Sequence, residues 1–301
     1  MIKSVDVKGK TIGFVDSRVG GRSENQDSAG IKDTTLGFLV VVCDGMGGMQ
    51  GGSIASQLAV QKIMETMSSA DKQGNPSMTL IKAIRNANMA IIEEGNDKPE
   101  LKGMGTTVTA LLLTPKCAIT AYVGDSRIYQ LRNGKKIFRT FDHSMVFEMV
   151  KKKVISEEQA RLSAQSNVIL KALGINPDIE VEVETHPYLK GDRFVLCSDG
   201  FWGAMPEEEF IRHLSENKPI DKILESTANL VESIGRKSGA DYDNLTAAIL
   251  EMDENSTLKK KKSVWFRILI GVLAFLLAAG VALGLIYWLN DFSWPSWMSC
   301  R

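Results

Sequence analysis

Four acidic residues occupy the same kind of place in this sequence: Asp44 in VVCDG, Asp125 in YVGDSR, Asp199 in VLCSDG and Asp243 in YDNLTAAI. Each carboxylate stands where an apolar, strand-like run meets glycine or a small polar residue, and so belongs on a turn at the end of a sheet. If the runs are neighbours in space, the carboxylates converge. Oxygen ligands without histidine or cysteine select magnesium or manganese over zinc. With only 3 histidines in the chain, a His-built zinc or haem site has little to draw on. Taken singly, each of the four is also an ordinary strand-terminal turn residue.

The richest of these contexts is residues 37–52, GFLVVVCDGMGGMQGG. Residues 38–43 are too short for an isolated core helix and rich in valine, which predicts a strand buried on both faces. Asp44-Gly45 closes it, and five glycines in the eight positions 45–52 leave the backbone open to close approach. The dinucleotide spacing fails, because Gln50 stands where a glycine is needed, and no Gly-Lys-Ser/Thr follows. With Asp44 at the mouth an anion is repelled unless a cation lies between. The economical reading is a metal site that then binds phosphate. The plain alternative is a glycine turn with a capping aspartate.

The elements that must hold these residues follow from periodicity. Residues 5–15 alternate loosely and turn at Gly20-Gly21, and residues 23–27 are polar. Helical spacing predicts helices over 53–67 and 77–94, the second stopped by Gly95. Strands are expected at 107–113, 118–123 and 126–132, with Asn133-Gly134 as a hairpin turn. Asp142-His143-Ser144 starts a helix leading into a charged, mostly helical insert over 151–172. Strands return at 179–184, 193–197 and 246–250, with helices near 206–217 and 222–237 between them. Strands and helices in blocks predict an α+β fold of packed antiparallel sheets covered by helices, not a doubly wound parallel sheet.

The 301 residues, 44% hydrophobic and 24% charged, suit one large or two ordinary globular domains. Net charge is zero overall, but the last 48 residues hold six basic and two acidic groups, leaving residues 1–253 at −4. A mildly acidic body argues against nucleic acid as a partner. Cys43, Cys117, Cys197 and Cys300 show no paired spacing and read as buried free thiols of a reducing compartment. The N-terminal stretch has no apolar core of signal-peptide length. Near the other end, residues 268–289 are free of charge and, at about 1.5 Å per residue, long enough to cross a hydrocarbon layer of roughly 30 Å. Lys259, Lys260, Lys261, Lys262 and Arg267 precede this run, and only Asp291 and Arg301 follow it. The asymmetry places the body on the cytoplasmic side of the cell membrane. The expected organisation is a catalytic domain over 1–253, a basic linker over 254–263, a single transmembrane helix over 264–289 and an extracytoplasmic tail over 290–301.

Taken together, Arg22-Ser-Glu-Asn-Gln-Asp27, Asp44-Gly-Met-Gly-Gly48, Gly105-Thr-Thr107, Gly124-Asp-Ser-Arg127, Asp142-His-Ser144, Ser198-Asp-Gly200 and Asp243-Asn244 resemble, in order, the motifs of the protein phosphatase 2C type of metal-dependent Ser/Thr phosphatases. The similarity spans roughly residues 5–252 and resembles the bacterial branch. It implies a β-sandwich of two antiparallel sheets flanked by helices, with a two-metal centre of magnesium or manganese at one end. By this resemblance Asp44 bridges both ions, the Gly45 carbonyl ligates one, Asp199 and Asp243 hold the other, and Asp27 acts through a bound water. Asp125, with Asp199, resembles the ligand of a third, weaker ion, and Arg22 the residue that holds the substrate phosphate. Residues 145–172 are similar to the flap beside the site, which influences substrate choice. The implied reaction is hydrolysis of phosphoserine and phosphothreonine in proteins, opposing a Ser/Thr kinase, by hydroxide bridging two cations about 4 Å apart and attacking phosphorus in line. Arg22 suits the role because its guanidinium is planar and always charged. Met46 stands where many eukaryotic relatives carry a histidine proposed to protonate the leaving group, which leaves a metal-bound water as the expected donor and His143 as a structural residue. A phosphatase of small phosphorylated metabolites and an inactive scaffold of the same fold are the competing classes.

Overall fold

The computed structural model describes residues 2–7, 10–47, 50–239, 241–253, 280–283 and 285. The chain forms two compact units, Met1–Thr257 and Leu258–Arg301. In the first, one sheet runs in the order β1 (Lys3–Val7), β2 (Lys10–Arg18), β12 (Leu245–Glu251), β11 (Arg193–Cys197), β8 (Arg127–Arg132) and β9 (Lys135–Arg139). The other runs β10 (Glu182–His186), β7 (Ala118–Val123), β6 (Val108–Leu113), β4 (Phe38–Met46) and β3 (Asp27–Asp33), with the short β5 (Gly105–Thr106) added beside β4. Every strand pairing among the described residues is antiparallel. The sandwich of two antiparallel sheets flanked by helices is therefore present.

The unbroken apolar run of β4 is explained by its place between two cores. Successive side chains of a strand point to opposite faces. Phe38, Val40 and Val42 join Leu111, Phe194, Leu196, Ala248 and Leu250 between the sheets. Leu39, Val41 and Cys43 face the other way, against the helices α1 (Gly51–Ser68) and α2 (Pro76–Asp97). Ala55, Ala59, Ile63 and Met67 recur every four residues on α1 and bury one stripe of it there. The outer face of the first sheet is covered by α6 (Glu207–Leu214) and α7 (Ile220–Ser238) through Phe210, Leu214, Ile223, Leu224, Ala228 and Val231. Four layers result, helix, sheet, sheet and helix.

Several expectations need correction. Gly95 does not stop its helix: α2 continues to Asp97 and ends at Lys98, extended at φ −123° and ψ 101° ahead of Pro99. Gly95 instead gives room, since a Cβ there would stand 3.2 Å from the Leu101 carbonyl oxygen. The insert over 151–172 is mostly not helical: α3 (Met145–Lys151) ends next to Lys153, whose φ is +58°, and only α4 (Glu157–Arg161) follows, restarted by a Ser156–Gln159 capping box. The strand expected over 179–184 lies at Glu182–His186, the register that pairs it with all but one residue of β7. Residues 27–33 form a strand that composition hid, because DSAGIKD alternates through only two apolar residues, Ala29 and Ile31, and lies at a sheet edge. Cys43 and Cys197 are buried free thiols and Cys117 is half-buried, while Cys300 lies outside the described residues. Of the segment expected to cross a membrane, only 280–283 and 285 are described, as helix exposing Val281, Leu283 and Leu285. Among the described residues no helix is long and apolar enough to cross a membrane, and the linker and the tail lie outside them.

Candidate active site

The register of β3 and β4 places Asp27 directly opposite Asp44. Asp44 is fixed through its backbone: its N–H donates to Thr107 Oγ1 at 3.0 Å, and its carbonyl accepts from Thr107 N and Thr106 Oγ1, both at 2.8 Å. At Gly45 a Cβ would stand 2.1 Å from the Gly52 carbonyl oxygen and 2.6 Å from that of Gln26, so only glycine fits between those two chains. Asp199 begins the single-turn helix α5 (Asp199–Trp202) just past β11, and Asp243 precedes β12, the strand paired with β11. Asp125 follows β7 on a turn that requires Gly124, at φ +108°, where a Cβ would meet Thr107 side-chain atoms at 2.6 and 2.7 Å. The strand ends thus bring all five aspartates to one end of the sandwich.

Their charges act on one another. Burial first, and then Asp27, Asp199 and Asp125, hold the Asp44 carboxyl well above the usual carboxylate range. Burial and Asp199 do the same to Asp125. Asp27 is pushed up to about 7, chiefly by burial and against the pull of hydrogen bonds from Thr246 and Ser198. Asp199 rises to about 6 through burial and the charge of Asp243, although a hydrogen bond with Asp44 opposes the shift. Ser198 Oγ donates to Asp27 Oδ2 at 2.8 Å, whereas Asp27 Oδ1 and Asp125 Oδ1 are buried with no hydrogen-bond partner. Orphaned buried carboxylate oxygens among like charges are what a divalent cation satisfies. Among the described residues no three such groups already stand as a ready ligand set. Asp44 lies against Asp199, and Asp243 against Arg22. An all-oxygen donor set with two orphaned acceptors nevertheless fits magnesium or manganese.

Arg22 is placed at the mouth, half-exposed, with Nε 3.3 Å from Asp243 Oδ1 and Nη1 3.2 Å from Asp241 Oδ1. Its loop is anchored by Asn244, whose Nδ2 donates to the carbonyls of Val19 (2.7 Å) and Glu24 (2.9 Å) and whose Oδ1 accepts from Gln26 N (2.8 Å). The cleft, about 890 Å³, is lined by Arg22, Asp44, Gly45, Met46, Asp199 and Asp243, with Asn167 and Ile169 of the flap on its rim. His143 faces elsewhere: its Nδ1 accepts from Gly124 N at 3.2 Å and its ring stacks on Tyr122. That fixes a neutral, structural imidazole, which burial holds down at about 4.

Five supporting side chains, Thr106, Thr107, Ser198, Asn244 and Trp202, were not assigned roles from the sequence, although all but Trp202 stand inside quoted motifs. Asn244 and Ser198 tie the arginine loop and Asp27 to the strand ends. Trp202 donates from Nε1 to the Asp125 carbonyl (3.1 Å) and carries the buried Arg127 guanidinium 3.3 Å above its ring. The signal for Asn244 was a polar side chain directly before an apolar strand; Trp202 had none beyond being a large aromatic two residues past Gly200.

A two-sheet sandwich that gathers five aspartates at one end beneath an arginine is the architecture of a metal-dependent phosphatase. The sequence matches the protein phosphatase 2C family over residues 16–238. The serine/threonine phosphatase stp of Listeria monocytogenes is 32% identical over 242 residues, which cover 77% of this chain and 92% of that protein. The serine/threonine protein phosphatase PstP of Mycobacterium tuberculosis is 32% identical over 233 residues, covering 77% of this chain and 43% of that protein. Among solved structures, the serine/threonine phosphatase Stp1 from Staphylococcus aureus superposes with a TM-score of 0.73 at 27% identity, over 79% of this chain and 93% of that one. The catalytic domain of PstP in complex with 2 manganese ions gives 0.65 at 29% identity, over 79% and 96%. The chain belongs to the protein phosphatase 2C family, and it is a metal-dependent protein phosphatase.

Proposed function

We propose that this chain removes phosphate from phosphoserine and phosphothreonine in proteins, with magnesium or manganese bound among Asp27, Asp44, Gly45, Asp125, Asp199 and Asp243. The observation that carries the reading is the facing pair Asp27 and Asp44, joined at the same end by Asp199 and Asp125 and by two carboxylate oxygens left without a partner. Two divalent ions bound there would acidify water held between them and offset charge on the phosphoryl oxygens. The protein's own part is positional. Asp44 is held rigid by Thr106 and Thr107 and lies between the Asp27 and Asp199 positions. Gly45 lets its backbone approach closely, and Asp125 with Asp199 offers a further, weaker position. Arg22, which pairs with Asp243 and Asp241 at the mouth, would offer its planar fork to the phosphate once Asp243 is engaged by a cation.

The mouth favours a macromolecular substrate over a small metabolite. Arg22, Asp241 and Asp243 at its edge are 43%, 76% and 40% exposed, so the phosphate site opens to solvent and does not close around a small molecule. With all the acidic positions in place, an active enzyme is favoured over a scaffold. The uncharged run over 268–289, with lysines before it, supports a single-pass anchor that holds the domain at the cytoplasmic face of the cell membrane. There it would oppose a Ser/Thr kinase acting on membrane-bound proteins. Turnover of a phosphothreonine peptide with manganese, and its loss with chelator, tests the core of this reading. Turnover that persists unchanged in chelator would sink it.

A further inference from the structure

A second cavity of about 380 Å³ opens from the catalytic cleft, sharing Arg22, Asp199 and Asp243 with it as a common mouth. Its floor is Val231 and Ile234 of α7 with Trp202 of α5, and its roof is Val146 and Phe147 of α3 with Arg161 of α4. The walls are built and not incidental. Gly235 lies inside α7, where glycine costs about 1 kcal/mol relative to alanine, and a Cβ there would stand 2.5 Å from the Tyr242 ring. The glycine therefore lets Tyr242 lie flat on the helix as a side wall, next in sequence to Asp243.

Apart from the Asp125 carboxylate, assigned above to a cation, the polar side chains along the interior are already engaged. Arg161 donates to Glu158 (2.9 and 2.6 Å) and to the Gly203 carbonyl (3.3 Å). Ser238 donates to the Ile234 carbonyl (3.1 Å), and Ser166 to Asn167 Oδ1 (3.1 Å). An entering polar side chain would lose its hydration for no partner, whereas an apolar one exchanges water for the half-buried faces of Ile234 and Trp202, backed by the buried Val146, Phe147 and Val231. The volume lies at the small end of ligand pockets, enough for a side chain and not for a folded element.

Resting on the phosphatase reading above, we infer that this cavity is a substrate subsite. It takes a bulky aliphatic or aromatic side chain flanking the phosphorylated residue, so the preferred substrates are phosphoproteins with a large apolar residue beside the phosphoserine or phosphothreonine. The flap contributes the roof, and selectivity arises from the space between it and α7.

The test uses the full-length protein with manganese on p-nitrophenyl phosphate and on phosphothreonine peptides scanned with leucine, phenylalanine, alanine, aspartate and lysine on either side of the phosphoresidue. At one flanking position kcat/KM should favour leucine or phenylalanine over alanine by at least about 10-fold, the scale of discrimination in an apolar pocket. Ile234→Asp, which makes the floor polar, and Ala204→Phe, at a small residue of the cavity wall just past α5, should each bring the peptides toward equality. Both should fold with a cooperative melt and keep the wild-type p-nitrophenyl phosphate rate, Ile234→Asp melting lower for the apolar packing it loses. Equal kcat/KM for every flanking residue in the wild-type protein, with p-nitrophenyl phosphate still hydrolysed, overturns the subsite and leaves the phosphatase standing. Selectivity that survives both folded variants also overturns it. No turnover of any substrate overturns the phosphatase reading itself.

Discussion

Arg22 grips Asp243 with two nitrogens, Nε to Oδ1 and Nη2 to Oδ2, each at 3.3 Å. The residue expected to hold phosphate therefore pairs with a residue expected to hold metal: Arg22 and the metal compete for one carboxylate, and filling either site would free the residue of the other. Arg22→Ala should raise KM for phosphopeptide because the bidentate donor is gone. It should also tighten manganese binding, because Asp243 no longer has a resident cation to displace. Arg22→Lys keeps the charge without the planar fork and should raise KM while leaving manganese affinity near wild type. Isothermal titration with manganese beside steady-state kinetics measures both effects. An Arg22→Ala enzyme with unchanged KM removes this residue from the phosphate site.

Asp44 and Asp125 should separate in their effects. Asp44 feels Asp27, Asp199, Asp125 and Asp243, so its loss unmakes the whole constellation. Asp44→Asn should lower kcat by about 10³-fold or more, the scale of several kcal/mol of metal-borne charge stabilisation. Asp125→Asn should leave activity that needs more manganese. Asp44→Asn should at the same time raise the melting temperature of the chelated protein, by about 2–4 °C for each kcal/mol of repulsion relieved. Near-normal turnover by Asp44→Asn would refute its role.

The pH dependence of metal-free stability follows from the same crowding. Asp27 at about 7 and Asp199 at about 6 have folded values raised above those of an unfolded chain. The folded state therefore binds more protons, and their contribution is full below about pH 4 and lost as pH rises toward 7. His143 runs the opposite way: its folded value of about 4 means its contribution is present above about 6.5 and lost as pH falls. Between pH 6 and 8 the aspartates dominate, so the chelated protein should melt lower at pH 8 than at pH 6, and saturating manganese should abolish or reverse the difference. A chelated protein that melts higher at pH 8 would contradict the assignment.

Much of this site was legible because its parts obey local rules. The apolar run ending at Asp44 announced a doubly buried strand, and Asn133-Gly134 announced a turn with φ of +51° and +73°. β7 and β11 lie where alternation and burial placed them. What stayed hidden was set by tertiary contact. The strand Asp27–Asp33 exists because β4 offers it seven ladder partners, not because its residues favour extension. Gly95 looked like a stop and is a packing gap. The placement of Arg22 against Asp243 depends on the Asn244 anchor, which joins residues more than two hundred positions apart. The motif resemblance supplied the site where local periodicity alone left the aspartates as turn residues.

The buried pair Arg127 and Asp142 carries the flap. Nε and Nη2 of Arg127 donate to the two Asp142 oxygens at 2.9 and 2.7 Å, and its guanidinium lies over Trp202 and near Phe147. Removing one partner leaves a buried charge, so Asp142→Asn should cost about 3–5 kcal/mol. Replacing both, Arg127→Met with Asp142→Leu, should recover much of that, since apolar replacements of buried pairs are often near neutral. Urea midpoints of the single and double variants give the comparison. A mild Asp142→Asn effect, within about 1 kcal/mol, would make the pair dispensable.

The last prediction concerns the segment after the body. Every residue assigned to the site lies at or before Asn244, within the first compact unit. A chain ending at Asp253 should therefore fold and keep full activity on phosphothreonine peptides. The four lysines at 259–262 are each worth about 1 kcal/mol near an anionic leaflet, so together with the uncharged run they would hold the domain against the cytoplasmic surface. Confinement there raises its effective concentration toward membrane-bound phosphoproteins without altering the site. The shortened chain should accordingly lose efficiency on a substrate tethered to vesicles while matching the full-length protein on free peptide. In sealed vesicles of known sidedness, protease added to the cytoplasmic face should digest the body and spare residues 290–301. A shortened chain that is unfolded or inactive, or a tail cut from the cytoplasmic face, would contradict a single-pass anchor, because that reading makes the helix a tether and gives it no part in folding or catalysis.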